Sequence, residues 1–258
     1  MKKYISITLI FLSSVVLLWS CKKDLAHVNS VYDTSGLAFI KVVDASPNFR
    51  AMLLGADSFN VYVNGLKVNG AQLTYNSVFP TITNLYAGVP AGPQSIRITV
   101  NGKQTPDSTT LLTLTKTLVA GSYYTFIITD EVMGTNEARQ MWLKDNFALT
   151  DTNNFTLRFV DAVLNDPAPV DVYSFRKAAN LFTNVTPGTA SAFVTSPYTT
   201  LSDTLYVRTA GTTTEIARIN LIYGSTTAPN RGRAYTVLYK GQFGNATKLR
   251  SLSFFAND

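Results

Sequence analysis

Phe39-Ile-Lys-Val-Val-Asp-Ala45 and Thr156-Leu-Arg-Phe-Val-Asp-Ala162 are two versions of one phrase, set 117 residues apart. In each, alternating side chains run into an aspartate and then a turn, the pattern of a strand with two unlike faces. Two further matches keep nearly the same offset: Asn60-Val-Tyr62 with Asp171-Val-Tyr173, and Gly121-x-x-Tyr124-Thr125 with Gly232-x-x-Tyr235-Thr236, both 111 apart. A repeat of this length marks two copies of one domain. The change of offset places six extra residues in the first copy, between Asp44 and Asn60. Thr150-Asp-Thr-Asn-Asn154 is polar and reads as the linker between the copies.

Outward from these phrases, short apolar runs alternate with turn residues. The first half predicts strands near 37–45, 58–63, 78–85, 94–100, 110–118, 123–129 and 139–144. The second predicts them near 155–162, 170–175, 179–185, 191–196, 204–209, 215–223, 234–240 and 248–255. Asn64-Gly65, Asn69-Gly70 and Asn101-Gly102 read as tight turns, because Asn and Gly tolerate positive φ. No long helical period occurs. The expectation is an all-β chain of two tandem antiparallel β-sandwich domains, Ig-like or transthyretin-like, over residues 36–149 and 150–258.

The amino terminus has its own grammar. Lys2 and Lys3 precede an apolar run from Tyr4 to Leu18, too short for a membrane span and suited to an export signal. Leu18-Trp19-Ser20-Cys21 resembles the lipobox of bacterial lipoproteins, in the looser form seen in Bacteroidota, with Trp19 where a small residue is usual. Cys21 is the single cysteine, so it has no intrachain partner, and lipidation gives it a role. Residues 1–20 are read as signal peptide and 21–35 as a lipidated tether. The anchor puts the chain on a membrane, with the outer membrane expected and its periplasmic or surface leaflet left open. Lys22-Lys23-Asp24 only partly resembles the lysine-plus-acidic signal for surface export.

Loss of residues 1–20 removes Lys2 and Lys3 and lowers the formal charge from +6 to +4. The surplus is scattered, whereas nucleic-acid binding calls for a basic patch, so nucleic acid is excluded as a partner. His27, the one histidine, lies in the tether. That leaves no His base on a rigid element and no usual zinc ligand set, and no cofactor is expected.

Val42-Val-Asp-Ala-Ser-Pro47, Asn60-Val-Tyr-Val-Asn-Gly65 and Val89-Pro-Ala-Gly92 resemble domain of unknown function family 4397, a group of exported bacterial β proteins. The second copy keeps Val160-Asp-Ala162, Pro169-Val-Asp-Val-Tyr173 and Gly232-x-x-Tyr235, but has Val163-Leu164 in place of Ser-Pro. The resemblance implies a fold and an exported compartment; it carries no catalytic residues.

The repeated residues Asp44, Asp161, Tyr62, Tyr173, Tyr124 and Tyr235 are read as structural: the aspartates fix turns and the tyrosines bury rings at corners. Paired carboxylates of a glycosidase, or a sugar-stacking platform, are the sharper readings of the same residues. Asn165-Asp166 and Asp151 with Asn153-Asn154 are sparse fragments of a calcium site. Asp107-Ser108-Thr109 and Asp203-Thr204-Leu205 resemble a short O-glycosylation motif. Phe49, Arg50, Met52, Leu53 and Leu54 form the candidate binding loop, apolar where a connecting loop is normally polar. The functional expectation is a non-catalytic cell-envelope lipoprotein acting through loops on an envelope protein. A glycan-binding lipoprotein in nutrient capture is the alternative, followed by a carboxylate-based glycoside hydrolase.

Overall fold

The structure is a computed structural model, and it describes residues 34–47, 58–81, 85–100, 110–129, 139–147, 153–225 and 229–258. Ser35–Asp258 is one compact unit. Eighteen strands occur among the described residues. In the first half they are β1 (Leu37–Asp44), β2 (Ser58–Val63), β3 (Leu66–Lys67), β4 (Leu73–Thr74), β5 (Val78–Phe79), β6 (Ala87–Pro90), β7 (Gly92–Val100), β8 (Thr110–Leu118), β9 (Tyr123–Ile128) and β10 (Met141–Lys144). In the second half they are β11 (Asn154–Asp161), β12 (Val170–Ser174), β13 (Ala179–Val185), β14 (Val194–Pro197), β15 (Asp203–Thr209), β16 (Glu215–Leu221), β17 (Ala234–Lys240) and β18 (Ser251–Ala256).

They form four sheets. One has the order β10-β9-β1-β5, with β6 also on β1; it packs on β3-β2-β7-β8, with β4 also on β2. The other two are β14-β11-β17-β18 and β13-β12-β15-β16. The chain is therefore all-β, in two β-sandwiches. Period-2 alternation builds each core: Ala38, Ile40 and Val42 of β1 meet Ile96, Ile98 and Leu112 of the facing sheet. Phe155, Leu157 and Phe159 of β11 meet Val172, Leu205 and Val207 in the same way.

Most sheet neighbours are antiparallel, but β1 runs parallel to β9 and β11 runs parallel to β17. This repeated pairing joins strands far apart in sequence, and a positive-φ glycine serves it in each half. Gly121 and Gly232 both have φ 70°, a conformation glycine adopts without the steric cost other residues meet. Their N–H groups donate to the carbonyls of Leu37 and Asn154, at the starts of β1 and β11.

The strand expected at 78–85 is instead a two-residue pairing, Val78–Phe79. The chain leaves after Phe79 and returns to the same edge of β1 as β6, Leu37 pairing with Pro90. Asn64-Gly65 turns tightly with positive φ at both residues, joining β2 to β3. Asn69 does something else: its buried amide accepts from Val61 N–H at 2.7 Å and donates to the Ala71 carbonyl at 2.8 Å. Asn101-Gly102 lies outside the described residues.

A third core lies between the sandwiches. Val43, Ala45, Ile127 and Met141 from the β1 sheet pack with Val160, Ala162, Leu238 and Phe255 from the β11 sheet. Both sheets are therefore covered on two faces, and the four sheets stack as layers with these two inside. Tyr75, beside the exit end of β1, lies 3.9 Å and 5.2 Å from the ammonium groups of Lys248 and Lys240, at the exit end of β17. The starts of β1 and β9 and those of β11 and β17 thus share one end of the stack.

Candidate functional site

The two repeated aspartates close matching turns. Asp44 Oδ1 accepts the N–H of Ser46, and Asp161 Oδ1 accepts that of Val163, each at 2.9 Å and each in a fully buried residue. Burial pushes the Asp161 carboxyl up to about 7; the Val163 N–H and Arg250 oppose the shift, and Asp166 adds to it. Tyr124 and Tyr235 form matching corners, accepting the N–H groups of Val119 (3.1 Å) and Asn230 (2.8 Å). Tyr62 and Tyr173 each carry an arginine on the ring, Arg97 at 5.3 Å and Arg208 at 3.8 Å. The pair diverges in exposure: Tyr62 is buried and Tyr173 is half-buried.

Asp166 takes Tyr239 Oη–H and Arg250 Nη1–H, each at 2.8 Å, so its carboxylate is spent within the fold. Asn165 bonds the backbone of Phe243 in both directions. Among the described residues no group of three or more His, Cys, Asp or Glu is placed to hold a metal ion. Asp203 accepts Ser174 Oγ–H, Arg176 N–H and Thr204 N–H, and Thr204 bonds Asn220. Cys21, His27, Phe49, Arg50, Met52, Leu53, Leu54, Asp107 and Asp151 lie outside the described residues.

Sequence reasoning missed a buried polar network between the sandwiches. Lys41 and Arg158 hold the same place in the repeated phrase, and each points away from its own core into the inter-sandwich layer. Arg158 Nη1 lies 2.6 Å from Asp145 Oδ1. Asp145 Oδ2 accepts from both Thr125 and Tyr86 at 2.6 Å. Across the layer, Arg158 Nε donates to Thr236, which donates to Asn257, whose amide donates to Tyr86 Oη. Lys41 Nζ donates to the Ala256 carbonyl at 2.5 Å and sits 4.6 Å from the Tyr86 ring centre. Burial lowers the Lys41 ammonium to about 7 even though Asp145 favours the charged form. Lys41 pairs with Thr125 across the β1–β9 ladder, as Arg158 pairs with Thr236 across the β11–β17 ladder. The network ties the two inner sheets together.

Two open features lie on the second sandwich. A shallow surface cleft lies over the edge of its core at the strand-start end. Phe155, Leu157, Leu181, Leu205 and Leu221 form its floor; Arg176, Lys177, Leu201 and Tyr223 stand at its mouth. On the outer face of the β12–β15 sheet, Tyr173 and Phe175 stand 6.5 Å and 6.4 Å from Tyr206, and Arg208 lies over Tyr173. Nothing in the sequence marked either feature, because each depends on which turns and strands meet.

Fold and framework together define a two-sandwich β protein whose repeated residues serve turns, corners and an internal seam. The chain belongs to the family described as domain of unknown function (DUF4397), whose profile matches residues 38–173, through the first sandwich and into β12. No curated protein matches the chain.

Proposed function

We propose that the chain is a lipid-anchored, non-catalytic envelope protein, built from two copies of the family domain, that works by binding. The observation that carries this reading is how the polar residues are spent. Asp44, Asp161, Tyr124, Tyr235, Lys41 and Arg158 are all committed to internal hydrogen bonds, while large apolar side chains stand exposed at one end of the second sandwich. Export and anchoring rest on the apolar run before Cys21 and on that cysteine being single. The outer membrane is the proposed location. The loop with Phe49, Arg50, Met52, Leu53 and Leu54 is the proposed contact for an envelope protein. Cells fed an acyl-chain precursor should label the wild type and not Cys21→Ala; equal labelling of both refutes the anchor. A pull-down from envelope extract should lose its partner when Phe49 and Leu53 are both replaced by Ser.

One observation favours glycan binding as a second reading. Tyr173, Phe175 and Tyr206 adjoin one another on an outer sheet face with Arg208 among them, an arrangement able to stack on sugar rings. Retention on immobilised polysaccharide, lost in Phe175→Ala and Tyr206→Ala, would support it. Equal retention of wild type and variants would remove it.

A further inference from the structure

We infer that the strand-start end of the stack is a membrane-contact surface, seated on an anionic phospholipid bilayer with its apolar turn tips in the headgroup layer. The first argument is what the turns at this end expose. Leu66 (74 %) follows the Asn64-Gly65 turn, and Val119 (56 %) stands between β8 and β9. On the second sandwich, Leu201 (65 %) stands on the turn into β15, and Ile222 (50 %) and Tyr223 (48 %) on the turn out of β16. Hydrogen bonds fix these turns to the strand starts. Asn64 Oδ1 accepts the Ser95 N–H near the start of β7, and Gly121 N–H donates to the Leu37 carbonyl. Tyr223 N–H donates to Ser202 Oγ, and Tyr198 N–H to the Asn153 carbonyl just before β11. Scattered apolar residues on a surface need no partner, whereas a set gathered at one end marks an interaction site.

Charge supplies the second argument. Lys67, Lys144, Arg176, Lys177 and Arg231 lie on or beside the same turns, and none is ion-paired with a described carboxylate. Outside the Arg158 pair, the described acids at this end are Asp203 and Asp258. Asp203 keeps its charge but turns it inward, to Ser174 Oγ–H and the N–H groups of Arg176 and Thr204. Apolar tips flanked by basic side chains match an anionic lipid surface, which takes the first into its headgroup boundary and attracts the second. The opposite end differs. Phe243 and Leu249 are exposed there, but Arg250 is paired with Asp166, and Lys240 and Lys248 face Tyr75.

The entry of the chain supplies the third. β1 begins at Leu37, so the amino-terminal segment joins the fold at this end. Residues 22–35 alone separate Cys21 from Gly36, a span of about 45 Å when fully extended. This argument rests on the proposed anchor, because a lipid on Cys21 would hold this end toward the bilayer and leave the other facing away.

The test replaces the anchor with a tag, so its failure is distinct from failure of the anchor. The chain from Lys22 onward, which contains the whole compact unit, carries an amino-terminal histidine tag. The tag holds it on phosphatidylglycerol vesicles with a little nickel-chelating lipid and with acyl chains brominated near the headgroup. Tyr223→Trp puts a reporter at the tips and Phe243→Trp puts one at the opposite end, with Trp142 as a common background. Bromine should quench the Tyr223→Trp reporter by about twofold, the result of burial in the headgroup boundary, and leave Phe243→Trp at background. Leu201→Ser with Ile222→Ser, and separately Arg176→Glu with Lys177→Glu, should each remove most of that quenching at an unchanged melting temperature. If one pair melts early, the other decides. No quenching at Tyr223→Trp, equal quenching at both reporters, or quenching untouched in the folded variants overturns the inference. Equal quenching on brominated phosphatidylcholine overturns the anionic assignment. Acyl labelling of Cys21 is unaffected by any of these results.

Discussion

Arg158 and Asp145 belong to different sandwiches, yet their charged atoms lie 2.6 Å apart with both side chains almost wholly shielded from water. Such a pair repays the cost of taking its charges out of water only while both partners are present. Asp145→Ala strands the guanidinium and should cost about 3–5 kcal/mol in denaturant unfolding. Asp145→Ala combined with Arg158→Met should recover part of that loss, because the guanidinium is then no longer buried without its carboxylate, while Lys41 still loses the charge that favours its ammonium.

Lys41 predicts a pH dependence of the opposite sense to most buried basic groups with partners. Its proton is lost near 7 in the folded chain and near 10.5 when unfolded. Below about 7 both states carry the proton and the burial cost is complete. Between 7 and 10.5 the unfolded state holds more protons, so stability should climb with pH, by an amount on the order of a few kcal/mol. Burial also keeps the Tyr86 and Tyr239 hydroxyls protonated, which opposes the climb above about pH 10. Lys41→Met should flatten the rise measured from pH 7.5 to 9.5, an interval of about 2 units.

Asp161 acts in the lower range. Its folded carboxyl titrates near 7 rather than 3.8, so the folded state binds the extra proton between those values. Its contribution is complete below 3.8 and is lost as pH rises through 7. Asp161→Asn keeps an acceptor for Val163 N–H and should remove this slope. Asp161→Ala, like Asp44→Ala, also loses the turn bond and should cost about 1 kcal/mol.

Tyr124→Phe and Tyr235→Phe each delete one hydroxyl that accepts a backbone N–H while leaving the ring in its core. Each should lower unfolding free energy by about 1 kcal/mol. Equal losses at the two positions would show that the corners do equal work.

Protease nicking between 150 and 154 should leave two fragments that run together in gel filtration, since the third core and the Arg158–Asp145 pair cross between them. Fragments that separate without denaturant would contradict this.

Strand positions were largely legible because alternation survives wherever one face meets a core, as in β8, where Leu112 and Leu114 point in and Thr113 and Thr115 point out. The burial of Lys41 and Arg158 was not legible. A basic residue on the alternate face of a strand reads as a solvent-facing charge, and only the stacking of two inner sheets turns it inward. The 78–85 stretch misled because an apolar run does not say where pairing stops. The cleft was hidden too, since its leucines look like ordinary core and its mouth is assembled from three separate turns.

The parallel pairing of β1 with β9 has a mechanical consequence. Leu37 opens a strand in the interior of its sheet, bonded to β9 on one side and to β5 and β6 on the other. Tension applied through residue 36 along β1 acts in shear on the run of paired residues from Phe39 to Asp44. Those bonds share the load and must yield together, whereas an edge strand pulled crosswise would peel one bond at a time. A chain held by its amino-terminal segment is thereby gripped at a place where this fold resists force well.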